Sequence, residues 1–428
     1  MGASGRLQRH ERLSPTAHAL LALLRHRGET GAADDVPALG PQAWVEILDL
    51  AHKHGVTPLL HRALQARGST MDVPDSSRVR LEEDRRATAL DNLRNYGEFR
   101  RIARALHDRN IPVMPLKGLH LAELVYGDIG LRPMSDLDIL VPVSQLRQVL
   151  TTVHELGYGF DVNLSETANA VVDAKCDIEL THRQMGGLLE VHWSLGEPPA
   201  RYVGLLEEIW RRAGPARVGD ADALVMAPEF LLLHVCAHIS CHHVFAFSLR
   251  ALCDIAEIVR AYPSIDWAEV VAHSQRCGWG RGVAAALRLA SDHLGVAVPA
   301  GVRAALSVDA IEPEMLADAM EHLLTHVDVS KGGFEWHHAV NLTTLAGKRG
   351  TAEKLATVWQ RIFVPRAELA IGYGVPQQSA RLSLYYAVRL KDLLRRYAAS
   401  AWALTVSDPR LAAAAARHAR LAKWIAGA

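Results

Sequence analysis

Residues 115–141 read PLKGLHLAELVYGDIGLRPMSDLDILV, and this stretch decides the predicted fold. Residues 112–116 form a short extended run, residues 118–126 carry apolar side chains at helical spacing, and residues 137–141 are an apolar strand. These changes of period predict a strand, a helix and a second strand. Two acidic residues stand where the second strand begins.

Asp136 and Asp138 are the first candidates for catalysis, because they lie two residues apart at the start of this strand. Side chains at i and i+2 leave the same face of a strand, so the two carboxylates can converge on one ion. At about 4 Å and an effective dielectric constant near 20, they repel by roughly 4 kcal/mol. Mg²⁺ relieves such repulsion, since one or two carboxylates hold it while phosphates and water complete its coordination. Ser135, directly before the pair, is a candidate nucleotide contact.

A third acid is expected on a neighbouring strand, and Glu190 meets that expectation. It lies in the extended segment 188–195, where alternation places Glu190 and His192 on one face and apolar residues on the other. Three acids from two strands predict two Mg²⁺ ions that orient an attacking hydroxyl and stabilise departing pyrophosphate. His192 would assist proton transfer, steady Glu190, or serve packing alone.

The junction between the first strand and the helix, at Lys117 and Gly118, predicts a phosphate-binding turn. Gly118 lets a ligand approach the backbone, the following helix presents its positive end, and Lys117 adds a charge. Arg132, four residues before the first acid, is a candidate for contacting the same phosphates. The plainer alternatives are a solvated strand end for Lys117 and, for Arg132, a structural ion pair with Asp128 or Asp136.

The rest of the sequence predicts an α+β protein. Extended segments at 176–182 and 188–195 add strands, whereas residues 144–156 and the chain beyond Pro228 have helical spacing. We predict four regions, namely a loosely ordered segment at 1–40, a helical region at 41–110, a catalytic domain at 111–226 and a helical domain at 227–428.

Upstream of the sheet, helical spacing predicts two short helices between Trp44 and Ala66 and a longer helix over residues 75–109. Order is expected to begin at Pro41. The long helix is amphipathic, with many Arg and Glu residues toward water. The side chains expected to face a core are Leu90, Leu93, Phe99, Ile102 and Leu106.

Together these motifs resemble the uncharacterised nucleotidyltransferase family within the polymerase β-like superfamily, over roughly residues 43–260. Its members carry a Trp-led helix before His-Gly-Val and Pro-Leu, a Leu-Lys-Gly turn, an Asp-x-Asp strand, an acid-x-His-Trp strand, and two helices marked by His and by Leu-x-Asp. The corresponding residues here are Trp44, His54-Gly55-Val56, Pro58-Leu59, Leu116-Lys117-Gly118, Tyr126, Arg132, Asp136-Leu137-Asp138, Glu190-Val191-His192-Trp193, His234, His238 and Leu252-Cys253-Asp254.

The resemblance implies a polymerase β-like core, a short mixed sheet with helices on one side, together with Mg²⁺ and ATP or another nucleoside triphosphate. The sequence departs from the wider superfamily in having Lys117-Gly118 where Gly-Ser is usual, and Glu190 where Asp is commoner. We therefore predict transfer of a nucleoside monophosphate to an acceptor, with release of pyrophosphate. The alternatives are an inactive nucleotide-binding or regulatory module and a zinc-dependent hydrolase.

The zinc alternative depends on a cluster of histidines and cysteines. His234, His238 and His242 are spaced four apart and would line one face of a helix, as zinc ligands do. The same helix is strongly apolar, which favours hydrogen-bonded core histidines. A further reading places His238, together with Asp254 of the next helix, along the nucleotide or acceptor cleft.

Composition limits the partners. The sequence has 47 Lys and Arg against 47 Asp and Glu, so no global field draws it to nucleic acid or membranes. The acceptor is accordingly a small molecule, a peptide or a protein, with nucleic acid not favoured. The five cysteines predict reduced thiols, and with no signal peptide or apolar span evident they predict a cytoplasmic protein. The basic segment 381–428 reads as a solvated helix face, or as a surface for RNA, membrane or an acidic partner.

Overall fold

The computed structural model describes the chain in several stretches, and all structural statements refer to these. They are residues 13–25, 39–68, 71–159, 172, 175–184, 186–246, 248–325, 355, 356, 359, 362–364, 366, 369, 379–402 and 409–427. Much of the predicted N-terminal segment 1–40 lies outside them. Among the described helices, none has both the length and the apolar character needed to cross a bilayer.

A five-stranded sheet forms around the predicted acidic strands, in the order β1-β2-β5-β4-β3. The central strands β2 and β5 are parallel, and the other pairs are antiparallel. The predicted strands therefore exist, although most are shorter than the apolar runs that predicted them. Their bounds are β1 Met114–Pro115, β2 Leu137–Leu140, β3 Tyr158–Gly159, β4 Asp177–His182 and β5 Leu188–His192.

A separate hairpin, β6 Gly214–Val218 and β7 Ala221–Val225, was not predicted. Its turn residues Gly219 and Asp220 both have positive φ, which suits the tight turns that match the twist of paired strands. The hairpin packs beside the sheet, where the Leu224 amide donates to the Val113 carbonyl at 3.0 Å.

Helices make up most of the remaining described chain. A π-helical turn, Leu121–Val125, continues α5, and a second one, His238–His242, continues α8. The helices are α1 Pro15–Leu24, α2 Pro41–Lys53, α3 Thr57–Arg67, α4 Asp75–His107, α5 Lys117–His120, α6 Leu146–Glu155, α7 Val203–Arg212, α8 Pro228–Ala237, α9 Leu249–Ala261, α10 Trp267–Arg276, α11 Gly280–Leu294, α12 Ala300–Ala305, α13 Pro313–Leu324, α14 Leu382–Trp402 and α15 Pro409–Ala426.

Helix α1 corrects the expectation that order begins at Pro41. Ser14 caps the helix, because its hydroxyl accepts a hydrogen bond from the Ala17 amide, and Pro15 occupies the first turn, where no amide donor is needed. Leu20 and Leu23 are fully buried. The sequence around this short apolar helix is rich in Gly and Ala, and for that reason the helix was not predicted.

Two hydrophobic cores organise the described residues. One unites buried residues of α1 to α3 with those of α8 to α13, and the other lies between the sheet, the β6–β7 hairpin, α6 and the C-terminal half of α4. Helix α4 spans both, since Leu81 belongs to the first core and Phe99 to the second. Strand β2, which carries Asp138, borders both cores, since Leu140 belongs to the first and Ile139 to the second.

The predicted core face of α4 is correct only in its C-terminal half. Phe99, Ile102 and Leu106 are fully buried, but Leu90 and Leu93 are 60% and 57% exposed. The buried residue in that earlier stretch is Asn92, whose amide donates to the Arg132 carbonyl at 2.8 Å. Helical periodicity alone did not reveal that this face meets a polar loop.

Replacing Phe99 with Ala should lower the free energy of unfolding by about 3–5 kcal/mol, because it empties a fully enclosed site in the second core. Leu93→Ala is the matched control, and it should change stability by less than about 0.5 kcal/mol. Urea denaturation measures both. Equal losses in the two variants would show that the assigned face of α4 is wrong.

Candidate active site

The pairing of β2 with β5 brings Asp138 and Glu190 together. The two residues are direct partners in the parallel register, so their side chains leave neighbouring strands on the same face. His192, two residues beyond Glu190, shares that face. Its Nε2 lies 3.1 Å from Asp138 Oδ1 and 3.3 Å from Glu190 Oε2. The predicted alternation of this strand is confirmed.

Lys117 reaches into the same cluster from the beginning of α5. Its Nζ donates to Asp138 Oδ1 at 2.7 Å and lies 3.9 Å from Glu190 Oε2. The backbone of Lys117 has φ 38°, a left-handed conformation that non-glycine residues rarely adopt. Such strain persists where surrounding structure imposes it, which is common at functional sites. Lys117 is therefore not the solvated strand end that was the alternative interpretation of its sequence position.

The charges of this cluster depend on one another. Burial alone would raise the pKa of Asp138, but Lys117 and His192 beside it hold that pKa well below its usual range. The hydrogen bond from His192 lowers the pKa of Glu190, but burial and the neighbouring Asp138 carboxylate outweigh it, so this pKa is raised. Burial would lower the pKa of His192, but its bonds to Asp138, Cys176 and Glu190 hold that pKa well above normal. Lys117 and His192 thus supply the positive charge that compensates two adjacent carboxylates.

Asp136 and Gly118 border this cluster rather than forming its centre. The Asp136 carboxylate is half-buried and accepts a hydrogen bond from the Ser135 hydroxyl at 3.2 Å. Burial and the nearby Asp138 charge raise the pKa of Asp136. At Gly118, an added Cβ would lie 2.6 Å from the Met134 side chain, so the glycine lets α5 pack against the loop before β2.

Strand β4 adds acids that the sequence reading missed. Glu179 is the register partner of Glu190, and Asp177 Oδ2 lies 3.7 Å from His192 Nδ1. Both acids lie on the face of the sheet that carries Asp138. The alternation of Asp177 and Glu179 with Ile178 and Leu180 was visible in the sequence, and it would have predicted this acidic face.

A cleft of about 1050 Å³ opens over this face. It is large enough for a nucleotide together with a small acceptor, given that ligand sites commonly occupy roughly 300–1000 Å³. Among the described residues, seven carboxylates and five Lys or Arg side chains line it. The cleft is therefore net acidic, and a triphosphate would enter it only with added positive charge.

Another wall of the cleft contains the histidine cluster. Ring centroids are 6.0 Å apart between His234 and His238 and again between His238 and His242, so the predicted shared face is confirmed. All three line the cleft. Burial, with Lys117 nearby, holds the pKa of His234 and of His238 well below normal and lowers that of His242 to about 4. This wall is built of neutral imidazoles.

Arg132 and Asp254 form a buried brace beneath the cleft. Arg132 donates to Asp254 from Nε at 2.9 Å and from Nη2 at 2.8 Å, and the Tyr126 hydroxyl donates to the same carboxylate at 2.8 Å. Both side chains line the cleft, but they are almost fully buried and bonded to each other. The structural ion pair considered for Arg132 is thus present, with Asp254 in place of Asp128 or Asp136. This pair joins α9 to the loop before β2.

Breaking that brace should destabilise the protein. Arg132→Met leaves the Asp254 carboxylate buried without its counterion, and we expect a loss of about 3–5 kcal/mol in the free energy of unfolding. Arg94→Met, which removes an exposed pair with Asp91, is the control and should leave stability unchanged. Chemical denaturation gives both values, and an unaffected Arg132→Met variant would contradict the bracing role.

Metal binding is compatible with the donor atoms in the cluster. Within the described part of the chain, one group of three potential ligands converges, with one atom each from Asp138, Glu190 and His192 within 4.8 Å of one another. Two carboxylates suit Mg²⁺ or Mn²⁺, and an imidazole is a better ligand for Mn²⁺ or Zn²⁺ than for Mg²⁺. Asp136 is outside this group, and so are the three histidines on which the zinc alternative depends.

The small mixed sheet, its helices and the acidic cleft are consistent with a nucleotidyltransferase fold. Residues 40–295 match the family described as "Uncharacterised nucleotidyltransferase", and because this is more than half of the sequence, the chain belongs to that family. The resemblance predicted from the motifs is confirmed. No curated protein and no solved structure matches the chain.

Proposed function

We propose that the protein transfers a nucleoside monophosphate from ATP or another nucleoside triphosphate to an acceptor, releasing pyrophosphate. The observation that carries the proposal is the side-by-side placement of Asp138 and Glu190 on parallel strands, with Lys117 bonded to Asp138, 3.9 Å from Glu190, and a cleft above. Family membership supports nucleotidyl transfer as the general activity. The mixed sheet supports a polymerase β-like core, and we assign catalysis to residues 111–226.

Asp138, Glu190 and Asp136 would hold one or two Mg²⁺ ions. His192 would orient Asp138 and Glu190 by hydrogen bonding, and it would become an additional ligand only on losing its proton as the metal binds. When bound, the metal supplies positive charge that offsets the charge developing on the transferred phosphoryl group. Lys117 is the residue best placed to contact phosphate, because its ammonium already lies in the acidic cluster and is freed once a cation replaces it. Ser135 and the Gly118 backbone adjoin that position at the edge of the cleft.

The remaining cleft residues would receive the acceptor and shape its approach. His238 lines the cleft as a neutral imidazole, and its Nε2 lies 3.1 Å from Nε2 of His243. Asp254 and Arg132 act through position, since their mutual bonds hold α9 against the loop before β2. The acceptor can be identified by incubating the protein with labelled ATP and a cell extract, followed by mass spectrometry for a product heavier by one nucleotide.

Substituting the central acids should abolish turnover without preventing folding. Asp138→Ala and Glu190→Gln should each lower the rate of pyrophosphate release by about 100-fold or more, because each removes a carboxylate proposed to hold the metal ion. Asp91→Asn, an exposed acid on α4, is the matched control and should keep full activity. The assay requires a panel of acceptors or the extract that contains the natural one.

The inactive-module alternative gives a different outcome. Isothermal titration of MgATP into wild type and Asp138→Ala would then show tight binding by the wild type, with no pyrophosphate released on any acceptor. If both acid variants release pyrophosphate at the wild-type rate, the catalytic assignment itself is wrong.

Chelation tests the metal requirement. Dialysis against EDTA should lower pyrophosphate release by about 100-fold or more, and added Mg²⁺ or Mn²⁺ should restore it, because the carboxylates cannot hold a triphosphate without a cation. Elemental analysis of the purified protein should show no stoichiometric zinc. Full activity in EDTA, or recovery with Zn²⁺ alone, would contradict this assignment.

A further inference from the structure

A second cavity, separate from the catalytic cleft, lies between α1, α3, α9 and the end of α11. Its volume is about 460 Å³, and its apolar wall includes Leu24, Leu59 and Leu294. Helix α9 borders both spaces with different faces, since Arg250 and Asp254 line the cleft whereas Cys253, Ala256, Glu257 and Arg260 line the second cavity. The charged side chains around this cavity are Arg25, Arg62, Arg67, Arg260 and Glu257.

The positive charge here exceeds the negative charge. Glu257 Oε1 accepts a hydrogen bond from Arg260 Nη1 at 2.7 Å and another from Arg62 Nη2, so two guanidiniums share one carboxylate oxygen. Among the described residues, Arg25 has no carboxylate within 4.0 Å. Arg67 differs, because it donates to the carbonyls of Leu23 and Ala22 at 2.7 and 3.0 Å and so caps the end of α1. Leaving Arg67 aside, the described residues that line the cavity carry three positive charges against the one negative charge of Glu257.

The donors in this cavity are also in excess. A guanidinium has five N–H donors in a planar fork, and within the described part of the chain Arg62 and Arg260 each donate a single hydrogen bond, both to Glu257. Their side chains are 37% exposed, so the remaining donors stay accessible. Forks of this kind bind planar or tetrahedral oxyanions through paired hydrogen bonds.

We propose that this cavity binds a phosphate monoester with a compact apolar group. The phosphate, with about −1.5 to −2 charge near pH 7, matches the excess charge of Arg25, Arg62 and Arg260 against Glu257. The apolar group packs against the leucines and alanines of α1, α3 and α9. The site is independent of the proposed catalysis, because it uses none of the residues of the acidic cluster.

Phenyl phosphate is the probe, titrated calorimetrically into the full-length protein in EDTA so that no metal can hold phosphate in the catalytic cleft. We expect saturable binding by the wild type and by Asp138→Asn, weaker binding of benzoate, and none of phenol. The double variant Arg62→Gln/Arg260→Gln should bind at least about tenfold more weakly. The matched control Arg86→Gln/Arg94→Gln removes two exposed arginines from α4 and should bind as the wild type does.

Glu257→Gln tests the same site in the opposite direction. It removes the carboxylate that competes for both guanidiniums, so phenyl phosphate should bind severalfold more tightly, an effect that misfolding cannot imitate. Absence of wild-type binding, binding unchanged in the Arg62→Gln/Arg260→Gln variant, or binding lost in Asp138→Asn would each overturn the proposal.

Discussion

The parallel pairing of β2 with β5 is the constraint on which the site depends. It holds Asp138 and Glu190 side by side at positions that the backbone hydrogen bonds prevent from separating. Two carboxylates so placed cannot both remain ionised without nearby positive charge. Lys117, whose ammonium lies 2.7 Å from Asp138, supplies that charge from a strained backbone conformation. His192, on the same strand as Glu190, supplies more. In this cluster Lys117 and His192 balance the two acids, and we propose that a divalent cation takes over that role when substrate binds.

Helices α8 and α9 contribute side chains that line the cleft over this sheet. The neutral histidines of α8 and its π-helical turn form another wall of the cleft, while the Arg132–Asp254 brace ties α9 to the loop before β2. The upstream motif also contributes, because His54 accepts a hydrogen bond from the Leu249 amide and Gly55 lies against Arg250. Residues far apart in sequence thus define a single cleft between two hydrophobic cores. This explains why the family motifs span the N-terminal helices, the sheet and α9.

The candidate site residues were easier to predict from the sequence than the tertiary contacts around them. The i, i+2 spacing of Asp136 and Asp138 and the alternation around Glu190 follow from strand geometry alone, so the acidic face was predictable. The partner of Arg132 was not, because Asp254 lies 122 residues away and nothing local indicates that tertiary contact. The sequence also did not predict the buried α1 or the β6–β7 hairpin. The exposure of Leu90 and Leu93 was missed because only a tertiary contact decides which face of α4 is buried. Periodicity predicts which side chains share a face, but not what that face contacts.

The most direct test of the central claim is a crystal structure with Mn²⁺ and a non-hydrolysable ATP analogue, in which anomalous scattering locates the ion. We expect Mn²⁺ bound by Asp138 and Glu190, with the Lys117 ammonium displaced from Asp138 and in contact with a phosphate oxygen. An ion bound elsewhere, or nucleotide bound while Lys117 still donates to Asp138 with no metal between the acids, would contradict it.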